Sequence, residues 1–254
     1  MLLFYIFTFI LGAIIGSFLN VVICRYNTGE SIVYSGSRCL ACGKRLTWPE
    51  LVPVLSFLAQ KGRCRECKSR ISAQYPLVEF LAGLLFLAAF WKFFPDIPSV
   101  IFYWLVFSLL IVISVYDFYH QIIPNKIVYL LGALAFGHWL FADMANPAVF
   151  ISGLAFFAFF ASFWLVSRGR WMGLGDAKLA LAAGWLLGPL ESPIAMLFSF
   201  WIGAIIGVFL LLFSLKNLTL KSRIPFGPFL SLGMTIAILF GGNILRFYLG
   251  FLFS

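Results

Sequence analysis

Asp117 and Asp176 stand at the edges of hydrophobic segments in a chain with only 9 carboxylate side chains against 18 lysines and arginines. The second lies in Gly173-Leu174-Gly175-Asp176. Two carboxylates brought close together cannot both ionise cheaply, so they tend to share one proton, and one group can activate water while its partner donates a hydrogen bond. Peptide hydrolysis needs such a pair, here at a membrane surface. Each residue also has a plainer account: a polar group at the end of a span for Asp117, and the N-cap of a helix opening with Ala177-Lys178-Leu179 for Asp176. Asp117 nevertheless falls in the last turn of its helix, against the negative end of the dipole, and that placement wants an explanation. Gly173 and Gly175 allow close backbone approach and conformations closed to other residues, as presentation of an extended substrate amide would require.

His120 is a rival general base near Asp117. No serine or cysteine sits at a recognisable nucleophile turn to accompany it. His138 lies inside an apolar run beside Trp139 and reads as a packed or hydrogen-bonded helix residue. Trp48, Trp91, Trp104, Trp139, Trp171 and Trp201 mostly fall near span boundaries, as an aromatic belt does.

A second cluster is Cys39-x-x-Cys42 with Cys64-x-x-Cys67. Two thiolates two residues apart can bind one ion from a tight turn, and two such knuckles complete a tetrahedral site suited to zinc. Gly43 and Gly62 supply turn freedom beside them. Disulfides are the competing reading, but a basic loop on the cytoplasmic side sits in a reducing compartment. Cys24 has no partner at such a spacing and reads as a membrane-edge packing residue. Glu30, Glu50 and Glu66 read as solvated surface charges.

The elements that position these groups follow from hydropathy. With 254 residues, 63% hydrophobic and 11% charged, and a mean hydropathy of +1.03, the chain is an all-α polytopic membrane protein. Eight spans are expected, at about 2–23, 77–94, 98–116, 126–142, 147–167, 177–190, 193–214 and 227–252. The domain plan is a first transmembrane helix at 1–23, a small zinc-binding cytoplasmic insert at 24–76 and a membrane-embedded peptidase domain at 77–254. The first segment reads as a permanent helix and not a removed signal peptide.

The net charge of +9 does not imply nucleic acid, because it follows the spans. Placing 24–76 in the cytoplasm puts nine basic residues of that insert inside, together with Lys126, Arg168, Arg170, Lys178, Lys216, Lys221 and Arg223. Only Lys92 and Arg246 fall outside. Both termini are then extracytoplasmic and both aspartates lie at the cytoplasmic face.

The chain resembles the type IV prepilin peptidases, the GxGD-type aspartic membrane proteases. The resemblance rests on an ordered series: Gly16-Ser17-Phe18-Leu19-Asn20-Val21-Val22-Ile23-Cys24-Arg25, the cysteine insert, Tyr75-Pro76-Leu77-Val78-Glu79, Asp117 seven residues before Pro124, Gly173 to Asp176, and Pro225-Phe226-Gly227-Pro228-Phe229. It implies an inner-membrane endopeptidase that removes the short basic leader of type IV prepilins or type II secretion pseudopilins, typically after glycine. It also implies, for many members, S-adenosylmethionine-dependent methylation of the new N-terminus. Asp117 and Asp176 would be catalytic, Gly173 and Gly175 substrate-approach positions, and Cys39, Cys42, Cys64 and Cys67 the structural zinc ligands. Two departures stand out: no second acid follows Asp117 within Phe118-Tyr119-His120, and Cys24 stands where tyrosine is common. The alternatives are a peptidase without methyltransferase activity and a proton-coupled transporter.

Overall fold

The computed structural model describes residues 1–34, 36–141, 145–213 and 224–252. The basic residues Lys216, Lys221 and Arg223, and the end of the seventh expected span, lie outside the described residues. Among the described residues eight α-helices form: α1 Leu2–Arg25, α2 Leu55–Ala59, α3 Gln74–Phe93, α4 Ile97–His120, α5 Asn125–Phe141, α6 Pro147–Ser167, α7 Leu174–Phe213 and α8 Gly227–Leu252. Among the described residues, six are long and apolar enough to cross a membrane: α1, α3, α4, α6, α7 and α8. α5 has 17 residues, just under the usual span length.

α7 covers the sixth and seventh expected spans in one 40-residue run, broken at Gly188, where φ is 69° and ψ −175°. The break comes at residue 188, earlier than the 191–192 gap read from hydropathy, because glycine alone takes that backbone cheaply and Pro189 cannot continue the ladder. Counting the two arms of α7 separately, 174–187 and 189–213, the eight apolar segments are all helical.

The chain divides into two compact units, Met1–Val112 and Ile113–Ser254. In the first, α1 lies antiparallel on α3. The ring of Tyr5 meets that of Phe90 edge-on at 5.6 Å, Gly12 faces Ala82 and Gly83, Gly16 faces Glu79, and the Asn20 amide donates to the Tyr75 carbonyl at 3.2 Å. Small residues let the two backbones approach where lipid gives no hydrophobic drive to association. Trp104 is part of this packing and not of an outer belt: it stacks on Phe86 at 4.9 Å and donates its indole N–H to the Phe86 carbonyl at 3.0 Å.

Between α1 and α3 the insert holds a short 3-10 turn, Trp48–Glu50, and α2. Glu50 is not a solvated charge. It is buried, and its Oε2 accepts the backbone N–H and the hydroxyl of Thr47, each at 2.9 Å. A second buried acid, Glu79 of α3, accepts the Val54 N–H at 2.7 Å and so ties the insert to the helix below it.

In the second unit, α5 runs alongside the first arm of α7, Asn125 opposite Lys178 and Phe136 opposite Trp185. The second arm follows α6, with Ser152 opposite Ser192 and Phe160 opposite Phe200. α8 returns antiparallel along that arm: Gly203 faces Phe229, Gly233 faces Ala195 and Ser199, and Gly241 faces Glu191. The start of the first arm and the start of α8 therefore share one end of this unit, while Gly188 marks the other.

Candidate active site and metal centre

Both aspartates are inside the second unit and buried, 4% exposed at Asp117 and 8% at Asp176. Asp117 lies three residues from the C-terminus of α4. Its Oδ2 accepts the backbone N–H of Gly227 at 3.0 Å, and Gly227 is the first residue of α8. A carboxylate set against the negative end of one helix thus faces the positive end of another, which removes the unfavourable placement noted from the sequence.

Asp176 is not an N-cap. α7 starts at Leu174, so Asp176 is its third residue, and its Oδ2 reaches back to the Gly173 N–H at 3.1 Å. This is the back-bonding half of a capping box, and it fixes the carboxylate by a bond to its own helix start. Ile123, three residues past the end of α4, packs on Gly175, so the end of α4 that carries Asp117 lies against the start of α7 that carries Asp176. Each carboxylate uses one oxygen for a backbone N–H in the bonds described here, and both lie at the end of the unit where α4 finishes and α7 and α8 begin.

The glycines act by absent side chains and not by unusual dihedrals. Neither Gly173 nor Gly175 has positive φ. A Cβ on Gly175 would meet that of Ile123 at 2.9 Å, and one on Gly227 would meet Asp117 Oδ2 at 2.6 Å. Gly227 carries a role that the sequence reading did not assign to it; the Gly-Pro step at a helix start was the available signal, since it marks an exposed positive helix end. His120 is exposed on the last turn of α4, its ring packed on Tyr116 at 4.3 Å.

The four cysteines of the insert converge, with their Sγ atoms all within 4.8 Å of one another. Cys39 and Cys67 Sγ are 3.8 Å apart, and a tetrahedral ion with metal–sulfur bonds of about 2.3 Å would set its sulfurs about 3.8 Å apart. The knuckles repeat each other at an offset of 25 residues. Cys39 N–H donates to Lys44 O and Gly43 N–H to Cys39 O; Cys64 N–H donates to Ser69 O and Lys68 N–H to Cys64 O. Each is closed by an antiparallel bridge, Arg38 with Arg45 and Arg63 with Arg70. Gly43 takes φ 74° in the first, and Lys68 takes φ 59° at the equivalent place in the second. None of the four forms a disulfide.

Backbone N–H groups of Cys42 and Ala41 directed at its sulfur lower the Cys39 thiol to about 6, and the hydroxyl and backbone N–H of Ser69 lower that of Cys67. Cys42 is raised to about 11: the Lys44 N–H lowers it, but lost hydration and the sulfurs of Cys39 and Cys67 outweigh that. Thiols held apart in this way shed their remaining protons when a cation binds.

Two family descriptions match the chain in series, the Bacterial Peptidase A24 N-terminal domain over residues 10–93 and the Type IV leader peptidase family over residues 104–208. The prepilin leader peptidase/N-methyltransferase of Bacillus subtilis is 36% identical over 245 residues, covering 95% of this chain and 96% of that one. The chain belongs to the type IV leader peptidase family. Relatives of the same name from Pseudomonas putida and Pseudomonas aeruginosa are each 33% identical, covering 92% and 98% of this chain and 90% and 95% of their own lengths. No solved structure matches. Both aspartates fall in the stretch matched to the leader peptidases, and the cysteine quartet falls in the N-terminal stretch.

Proposed function

We propose that this chain cleaves the basic leader of type IV prepilins or type II secretion pseudopilins with Asp117 and Asp176 as a dyad, and methylates the new N-terminus. The observation that carries the reading is the gathering of two buried carboxylates at three helix ends, each accepting a backbone N–H. With one proton shared, one carboxylate takes a proton from the attacking water while the other gives its proton to the scissile carbonyl oxygen. The tetrahedral diol then collapses: the C–N bond breaks, the leaving amine takes up a proton, and the dyad returns to its singly protonated state. Gly173 and Gly175, three and one residues before Asp176, are the proposed substrate-approach positions. The substrate's apolar helix, held in the bilayer, fixes the depth of its scissile bond.

S-adenosylmethionine would supply the methyl group to the free amine. The experiment that tests the whole reading is a mass spectrum of a prepilin incubated with the purified protein and that donor. Leader loss with one added methyl is expected; leader loss alone would reduce the reading to a peptidase, and an unchanged substrate would overturn it.

The metal held by Cys39, Cys42, Cys64 and Cys67 is proposed to be one structural zinc, which a closed set of four thiolates suits. Elemental analysis should find about one zinc per chain, by the usual structural stoichiometry, and Cys39→Ser or Cys64→Ser should lose it. Full occupancy in those variants would remove the assignment.

Orientation in the inner membrane is proposed from the sixteen-to-two division of basic residues, with the insert and dyad cytoplasmic and both termini outside. In the second unit Lys126, Arg168, Arg170 and Lys178 all belong to the end that carries the dyad. A membrane-impermeant thiol reagent applied to intact cells should spare the insert and label cysteines introduced at the termini. The reverse pattern would overturn the topology.

A further inference from the structure

Beside the first arm of α7, on its α5 side, is a groove of about 280 Å³ lined by Tyr129, Gly132, Phe136, Leu181 and Trp185, with Lys178 at its polar end. Lys178 Nζ donates to Asn125 Oδ1 and to the Tyr129 hydroxyl, each at 2.9 Å, and stands 4.9 Å from the Tyr129 ring centre. Both acceptors are neutral, and among the described residues no carboxylate lies within ion-pair distance of Lys178. An ammonium has three donors, so one remains for an anion. Lys126, exposed in the same first turn of α5, adds a second positive charge nearby. The wall is open: a Cβ on Gly132 would meet nothing within 4 Å.

A cation without a counter-charge at the polar end of an apolar groove, on helices that lie in a membrane, matches an anionic lipid: phosphate at Lys178, acyl chain along Gly132 to Trp185. Direction excludes a substrate helix seated for cleavage. Asp176 and Lys178 are two residues apart, about 200° around the arm, so a chain seated here would point away from the carboxylates. The geometry points to a binding site for one anionic phospholipid between α5 and the first arm of α7, on the opposite side of that arm from Asp176.

The test is native mass spectrometry of the full chain, released from detergent containing phosphatidylglycerol and phosphatidylethanolamine of matched acyl chains. Wild type should retain phosphatidylglycerol over phosphatidylethanolamine by about tenfold, the effect of one good charge-assisted contact. Lys178→Ala should abolish that preference, Lys178→Arg should keep it, and Gly132→Leu, which fills the groove, should cut retention of both lipids. Lys178→Gln replaces the alanine variant if that protein does not elute as a folded species. Asp176→Asn should bind lipid as wild type does, which keeps this outcome separate from that of the peptidase reading. Equal retention of the two lipids by wild type, an unchanged preference in both neutral Lys178 variants, or full displacement by glycerol phosphate without an acyl chain would each overturn the site. So would a photo-crosslinker at position 132 that captures the apolar helix of a prepilin.

Discussion

Asp117→Asn and Asp176→Asn should each lower the rate of leader cleavage by at least about 10³-fold, within the range that a positioned acid or base contributes. The amide side chain is close in volume and retains a carbonyl oxygen. That oxygen can still accept the Gly227 N–H at position 117 or the Gly173 N–H at position 176, so each variant keeps its structural bond and loses only the exchangeable proton. If the two carboxylates act as one unit, the double variant will be no slower than either single one. The measurement is cleavage of purified prepilin, with bound metal and elution volume as controls for folding. A folded Asp117→Asn protein that cleaves near the wild-type rate would remove Asp117 from the mechanism and turn attention to His120.

Gly227→Ala is the second change with a large expected effect, although it touches no titratable group. The new methyl would lie 2.6 Å from Asp117 Oδ2 and 3.2 Å from its Cγ, so either the carboxylate or the start of α8 must shift. The helix start is pinned: Gly227 is buried, and the ring of the preceding Phe226 packs against Phe200 at 5.2 Å and Phe160 at 5.9 Å. The carboxylate therefore yields, and a displacement of about an ångström costs on the order of 10²-fold in rate. Gly137→Ala, where a Cβ meets nothing, should cleave as wild type does. A Gly227→Ala protein within twofold of wild type would show that the contact with α8 does not hold Asp117 in its working position.

The helices were legible because hydropathy over roughly 20 residues is a strong signal, and the cysteine spacing announced its cluster because ligands two residues apart in a tight turn are a local matter. The exact turn in the long seventh helix was displaced because the hydropathy minimum around Glu191-Ser192 and the backbone break at Gly188 are different properties. The partners of the aspartates were harder to see. Whether Asp176 is a cap or the third residue of its helix depends on one turn of backbone, below the resolution of pattern reading. That Asp117 meets Gly227 depends on the return of α8 along the second arm of α7, a non-local packing of Gly233 and Gly241 that no window of sequence contains. Glu50 and Glu79 were equally hidden, since burial of a carboxylate shows only when its hydrogen-bond donors are in place.

The bond from Gly227 to Asp117 joins positions 110 residues apart in the chain. During synthesis α4 enters the bilayer long before α8 exists, and at about 5–20 residues per second the interval between them is on the order of 5–20 s. Throughout that interval Asp117 lacks the donor that holds it. A nascent or truncated chain that ends before α8 thus carries both carboxylates without the α8 donor to Asp117, and on the proposed mechanism it should not cleave until α8 is in place.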